Sequence, residues 1–324
     1  MAMDFFIASQ KINTLVRAAK NILLVTHQNP DADALGSLAA FSQWLDQLNK
    51  KYDAFCSSLP ASNLSFLFDL DKITTNPEIL TASQYDLLVV LDAGDLKRAG
   101  LSELIDRDSG FKIINIDHHA TNQYFGTINL VMEHAASTTE ILFRLFKAIG
   151  VPISSEMSTA LLAGIVDDTY NFTNPNTSHD SLAIASKLLL QGAKISTVSD
   201  LIAKNKALVD LQLWGRALLR LRTNPELGIA TTVITLEDLA DHPRGVEVTE
   251  GISNFLNNLT GVAATLMLRQ EDEQTIKGSF RTNSDLIDVS RLATILGGGG
   301  HRKAAGFKLK GKLVQAIDGN WQIV

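Results

Sequence analysis

The sequence predicts an α/β protein with an N-terminal domain built on a mostly parallel sheet with flanking helices, and a smaller C-terminal α/β domain. Three observations lead there. In the first half, short apolar runs of strand length alternate with amphipathic stretches of helical period. In the second half, a further strand–helix series follows a long helical segment. The chain has 324 residues, 45% hydrophobic and 20% charged, enough for two domains with separate cores.

The elements follow in order. Residues 21–26 (NILLVT), 86–91 (DLLVVL) and 111–116 (FKIINI) are apolar on both alternating faces, as strands of a covered parallel sheet are. Helical periodicity marks residues 35–49, 138–149, 155–166 and 181–190. Residues 195–222 read as a long helical segment, which a TNPEL turn signal ends. Beyond it come a strand at 229–235, a short acidic helix, a helix at 249–259, and two β runs, 263–270 and 275–281. A helix at 287–296 then enters four glycines, and 304–310 is a last strand. The domain division is a catalytic domain at 1–191, a helical linker at 192–222 and a second domain at 223–324.

Composition narrows the function. One cysteine, Cys56, excludes an internal disulfide framework and a zinc site built from several thiolates. No apolar run reaches the length of a membrane span. Asp4 stands where a secretion signal carries positive charge, so a cytoplasmic location is expected. The formal net charge of −6 argues against a protein that grips long duplex nucleic acid by charge alone.

The chemistry collects where strands stop. The first strand ends in His27, and a short loop carries Asp31 and Asp33. The second ends in Asp92 and the third in Asp117-His118-His119; the helix at 155–166 ends in Asp167-Asp168. Parallel sheets place ligands beyond the carboxyl ends of their strands. Clustered carboxylates need compensating charge, and divalent cations supply it. Oxygen donors with some imidazole suit Mn²⁺ or Mg²⁺, and the donor number is sufficient for two ions, which together polarise a phosphoryl group and activate water. A lone aspartate at a strand end is ordinarily a cap or turn residue. The coincidence at three strand ends, taking three of the seven histidines, is what favours a metal centre. A second constellation is Gly297–Gly300 followed by His301, Arg302 and Lys303, where glycine amides could form an anion nest beside cationic donors. Arg281, at the end of a β run, could reach the same place. The competing reading is a glycine-capped helix end.

These residues together resemble the DHH/DHHA1 phosphoesterases. HQNPDADALGS, LDAGD, IDHH and AGIVDDT are similar to the family's four N-terminal motifs, and GSFR and GGGGHRKAAGF to those of its DHHA1 domain. The two-domain length resembles the NrnA-like branch. The resemblance implies a hydrolase acting on short oligonucleotides (nanoRNA, dinucleotides), on 3′-phosphoadenosine 5′-phosphate (pAp), or on both. It implies two divalent ions, Mn²⁺ first with Mg²⁺ or Co²⁺ as substitutes. His27, Asp31 and Asp92 would bind one; Asp33, Asp92, His118 and Asp168 the other. Asp92 would bridge them, Asp117 would orient a histidine, and His119 would touch the scissile phosphate. Gly298, Gly299, Gly300, His301 and Arg281 would hold the rest of the substrate. Partners implied are short single-stranded RNA or DNA or a nucleoside bisphosphate, with no long duplex and no membrane, in a monomer or homodimer. The chain departs from the pattern at Asp167, where relatives often have Thr, and at Tyr170-Asn171, which replace an often Gly-containing pair. The alternatives are a cyclic-dinucleotide phosphodiesterase and a non-catalytic nucleotide-binding or sensing protein.

Overall fold

The computed structural model describes residues 4–81, 85–101, 111–203, 208–240, 242, 245–317 and 319–324. The chain divides into two compact units, Met1–Asn205 and Lys206–Val324.

The first unit runs α1 (Phe5–Ala18), β1 (Asn21–Thr26), α2 (Ala32–Gln47), β2 (Lys51–Phe55), β3 (Ile73–Thr74), β4 (Leu87–Leu91), β5 (Lys112–Asp117) and β6 (Ile128–Val131). The helices α3 (Thr138–Ile149), α4 (Ser155–Asp168), α5 (His179–Leu190) and α6 (Ile195–Ala203) follow. Its sheet has the order β3-β2-β1-β4-β5-β6, and every pairing is parallel. Strand alternation buries both faces. Ile22, Leu24, Val89 and Ile114 join the main core with α1 to α5, while Leu23, Val25, Leu88 and Val90 join a smaller cluster behind.

Helix α2 is the centre of this unit. Leu35, Leu38, Phe41, Trp44 and Leu45 are at most 1% exposed, each contributing about 1.5–3 kcal/mol by burial. It crosses α4 closely: a Cβ on Gly36 would lie 2.5 Å from the Ala160 carbonyl oxygen. That contact fixes the two helices whose ends carry acidic residues. The sheet register does the same for the strands. Thr26 pairs with Leu91, and Leu91 with Ile116, so His27, Asp92 and Asp117 emerge side by side.

The second unit contains α7 (Leu208–Leu219), β7 (Arg222–Asn224), β8 (Ile229–Ile234), α8 (Leu236–Leu239), α9 (Gly245–Leu256), β9 (Ala264–Gln270), β10 (Thr275–Arg281), α10 (Val289–Ile295), β11 (Gly299–His301), β12 (Ala304–Lys310), β13 (Leu313–Gln315) and β14 (Trp321–Ile323). Its main sheet, β11-β12-β10-β9-β8-β7, is antiparallel except between β8 and β9. Within the segment read as one long helix, the described residues form α6 and α7. α6 packs on α4 and α7 on β8 and α9; residues 204–207 of the expected linker lie outside the described residues. Among the described residues, no helix is long and apolar enough to cross a membrane.

Candidate metal centre

At the carboxyl edge of the first sheet, His27 Nε2 lies 3.4 Å from Asp92 Oδ2 and 3.8 Å from Asp31 Oδ1. His118 Nε2 lies 3.1 Å from Asp168 Oδ2 and 3.7 Å from Asp92 Oδ1. Three sets have ligand atoms all within 4.8 Å of one another: His27-Asp31-Asp92, Asp33-His118-Asp168, and Asp92-His118-His119. All six residues expected as metal ligands therefore converge, with Asp92 in two of the sets.

Each is held by identifiable contacts. Asp31 caps α2, accepting from the Asp33 and Ala34 amides. The ordinary role of such an aspartate and its place in the cluster thus coincide. Asp33 is fully buried and accepts from the Thr138 amide (2.6 Å), the Thr139 amide (2.9 Å) and the Thr139 hydroxyl (2.6 Å). These donors are the first turn of α3, whose dipole favours a carboxylate there. Thr138 Oγ1 donates to Asp92 Oδ1 at 2.9 Å. His27 Nδ1–H donates to the Gln28 carbonyl at 2.8 Å, which leaves Nε2 to ligate. His119 Nδ1 stands 2.7 Å from buried Asp117, which also accepts from Asn122.

Sequence reading did not find Thr138, Thr139 or Asn122. The signal for the threonines was the Ser137-Thr138-Thr139-Glu140 capping pattern, in which Ser137 accepts from the Glu140 amide and Glu140 from the Ala136 amide. Asp95 is a turn residue, accepting from the Arg98 amide. Asp167 accepts from the Ala32 amide at 3.3 Å, beside Asp31.

Two backbone features mark the site. Asp92 has φ 59°, and Tyr170, Asn171 and Phe172, just after Asp168, have φ 47°, 57° and 61°. Left-handed backbone costs a side-chain-bearing residue about 1–2 kcal/mol, and such strain gathers at functional sites.

The electrostatics fit hard divalent cations. Burial, with the Asp92 and Asp31 charges, pushes Asp33 well above the carboxylate range. Burial, then Asp33 and Asp92, does the same to Asp168. Asp167 is raised to about 6 by burial and by Asp31. Burial opposes the charged form of His27, but its bonds to Asp31 and Asp92 win and raise it to about 11. Protons thus hold the place of positive charge. The donors are oxygen and imidazole, the set that suits Mn²⁺ or Mg²⁺.

A pH dependence follows. A bound cation must displace these protons, so divalent affinity rises with pH and binding releases protons, measurable by titration calorimetry in buffers of differing ionisation enthalpy. For stability, the raised Asp167 contributes fully below about pH 4, and that contribution is lost as pH climbs through about 6. Metal removal therefore lowers Tm more at pH 8 than at pH 5. Equal shifts at both would contradict the assignment.

In the second unit, Arg281 pairs with Ala304, and Ala304 with His301. This places Arg281 and His301 on one face, two strands or about 10 Å apart. Arg281 donates from Nε to Asn254 Oδ1 at 3.2 Å. His301 is exposed. The glycine run is an edge strand as well as a cap. Gly297 (φ 78°) ends α10, while a Cβ on Gly298 would lie 2.1 Å from the Gly306 carbonyl oxygen, and one on Gly300 2.6 Å from that of Ala304. Close hairpin packing therefore explains Gly298 and Gly300; Gly299 is open. Arg302 and Lys303 do not join His301 as free donors, since Lys303 pairs with Asp285 at 2.7 Å and Arg302 donates to the Asp285 carbonyl.

A parallel α/β unit with acidic and imidazole ligands at its strand ends, joined to a mixed-sheet unit, defines a class of two-domain proteins with a divalent-cation centre. Residues 21–165 match the DHH family N-terminal domain and residues 244–319 the DHHA1 domain. The chain belongs to the DHH family. It is 30% identical over 290 residues to the bifunctional oligoribonuclease and PAP phosphatase NrnA of Thermus thermophilus, covering 90% of this chain and 84% of that one. The Bacillus subtilis protein of the same name is 27% identical over 288 residues, 88% of each chain. Among solved structures, an exopolyphosphatase-related protein from Bacteroides fragilis superposes with a TM-score of 0.82 at 25% identity, over 93% of this chain and 90% of that one.

Proposed function

We propose that the protein is a metal-dependent phosphoesterase hydrolysing short oligonucleotides and pAp. The observation that carries this reading is the clustering of His27, Asp31, Asp33, Asp92, His118 and Asp168 in overlapping sets linked through Asp92 and His118, supported by the names borne by the two relatives above. His27, Asp31 and Asp92 would hold one divalent ion and Asp33, Asp92, His118 and Asp168 a second, with Mn²⁺ the preferred ion and Mg²⁺ or Co²⁺ as substitutes. When bound, such a pair polarises the phosphoryl group and makes water nucleophilic at neutral pH. Asp117 fixes His119 through Nδ1 and, by that bond, raises its pKa. With Nδ1 held in this way, Nε2 is left to face a phosphoryl oxygen, where negative charge grows in the transition state. Arg281 and His301 contact the substrate's other phosphate or base, with the open Gly299 beside them and Gly298 and Gly300 shaping the hairpin. The location in this reading is cytoplasmic, and the boundaries at 191 and 222 stand as our division of catalytic and substrate-binding domains.

The test is a labelled panel of pAp, dinucleotides, 5-mers, 20-mers, cyclic dinucleotides and pyrophosphate, with Mn²⁺, Mg²⁺ or Co²⁺. The expected order is pAp and dinucleotides first and 20-mers last. Equal rates on dinucleotide and 20-mer would sink the length preference, and binding without turnover would favour a sensing protein. Arg281→Ala should raise KM for pAp about 10-fold or more, the scale of one lost hydrogen bond to a charged group, with a smaller change in kcat.

A further inference from the structure

One buried side chain ties the loop after β5 to Asp117. Asn122 Oδ1 accepts from the Tyr124 amide at 2.7 Å and from Asn115 Nδ2 at 2.9 Å. A backbone N–H can only donate, so the atom it faces is the side-chain oxygen and the other is the nitrogen. That nitrogen donates to Asp117 Oδ2 at 2.6 Å and lies 3.4 Å from the carbonyl of Ala93, the residue after Asp92. Asp117 Oδ1 takes the other donor, His119 Nδ1–H, at 2.7 Å. The fully buried carboxylate is thus held at both oxygens, and its plane is fixed toward the imidazole. The loop is built around this contact. The Asn122 amide donates to the His119 carbonyl and the Gln123 amide to that of Gly94, while Tyr124 holds left-handed backbone at φ 51°. Asn115 Nδ2 also donates to Asn129 Oδ1 at 2.9 Å, which extends the network from β5 to β6.

We propose that Asn122 is a positioning residue for His119. By occupying the second oxygen of Asp117 it holds the carboxylate plane, and through it the imidazole, where Nε2 meets the scissile phosphoryl group. It acts through Asp117 rather than on the substrate. A carboxylate held at one oxygen can turn about its terminal torsion, which is broad; the second bond removes that freedom. A misplaced catalytic group loses rate steeply, because the reacting geometry is narrow. The inference rests on reading the site as a phosphoesterase in which His119 meets the phosphate.

The experiment is a double-mutant cycle in the full-length protein, with Asn122→Ala and His119→Ala alone and together. Single-turnover rates are measured on pAp and a dinucleotide in Mn²⁺. Asn122→Ala should lower the maximal rate about 10–100-fold, the scale of a lost orienting partner. The half-saturating substrate concentration and the Mn²⁺ affinity from calorimetry should stay within about two-fold. In the His119→Ala background the same change should cost less than about three-fold, because residues that act as a unit are not additive. The His119 Nδ1–H signal in ¹⁵N-histidine spectra, recorded in Mg²⁺ and assigned by its loss in His119→Ala, is a readout independent of turnover. It should exchange slowly with water in the wild type and rapidly in Asn122→Ala. Asn122→Ser, one bond too short to reach Asp117, makes the same test where Asn122→Ala does not fold. An unchanged rate, an unaltered Nδ1–H signal, or an equal loss with and without His119 would each overturn the inference. So would weakened Mn²⁺ affinity with raised half-saturation on both substrates, which is the signature of a merely structural residue. A wild type inactive on every nucleotide would remove the functional reading and this inference with it, whatever the spectra show.

Discussion

Replacing Asp92 by Asn should reduce phosphoester hydrolysis by about 10³-fold or more while leaving the fold intact, the scale on which one member of a concerted catalytic unit acts. The choice of Asn follows from the backbone. Asp92 has φ 59°, a conformation that Asn tolerates far better than Ala, so Asp92→Ala would mix strain with lost chemistry. Asn also keeps an oxygen to accept the Thr138 hydroxyl, now 2.9 Å from Oδ1. What it loses is negative charge and one of the two oxygens, of which Oδ2 faces His27 and Oδ1 faces His118. A residue serving two ions is the one whose charge cannot be supplied by a neighbour. Circular dichroism and Tm should be close to wild type, and calorimetry should show weakened binding of Mn²⁺. Turnover within ten-fold of wild type would refute the bridging role.

The aspartates and histidines of the site were legible because each stands at the end of an apolar strand, where direction and position are set by the sheet alone. β1, β10 and β12 fall on the expected residues, and the other expected strands within one residue. What escaped depends on partners distant in sequence. β2 carries Lys51 and Asp53 at exposed positions and is recognisable by its pairing with β1. Thr138 and Thr139 look like cap residues until Asp33, 105 and 106 positions away, is placed against them. The glycine run suggested an anion nest, yet two of its members are required by a hairpin whose other strand comes later in the chain. Apolar periodicity runs alike through α6 and α7, so it gave no sign that they pack in different units.

Gly164→Ala should be among the most destabilising single-methyl changes in the first unit, and it should weaken metal binding. In an exposed helix this substitution stabilises by about 1 kcal/mol. Gly215 in α7 is such a case: a Cβ there has nothing within 4 Å, so Gly215→Ala should raise stability by about that amount. At Gly164 the sign reverses. Its Cβ would lie 2.3 Å from Asp33 Oδ1, 2.4 Å from Thr139 Oγ1 and 2.6 Å from Thr139 Cγ2. None of these atoms is the free end of a flexible side chain. Asp33 and Thr139 are both fully buried, and the Asp33 carboxylate is held by three hydrogen bonds from α3. Relief requires α4 to move from α3 or Asp33 to leave its donors. Overpacking costs about 1–3 kcal/mol, and a lost hydrogen bond to a charged group about 1.5–3 kcal/mol. Set against the helical gain, the net loss is about 1.5–5 kcal/mol, or a Tm lower by about 3–20 °C for a unit of this size. Because Asp33 is itself a ligand candidate, the same displacement should lower affinity for Mn²⁺, whereas Gly215→Ala should leave it unchanged. Equal Tm shifts in the two variants would show that the space beside Asp33 is not what makes residue 164 a glycine.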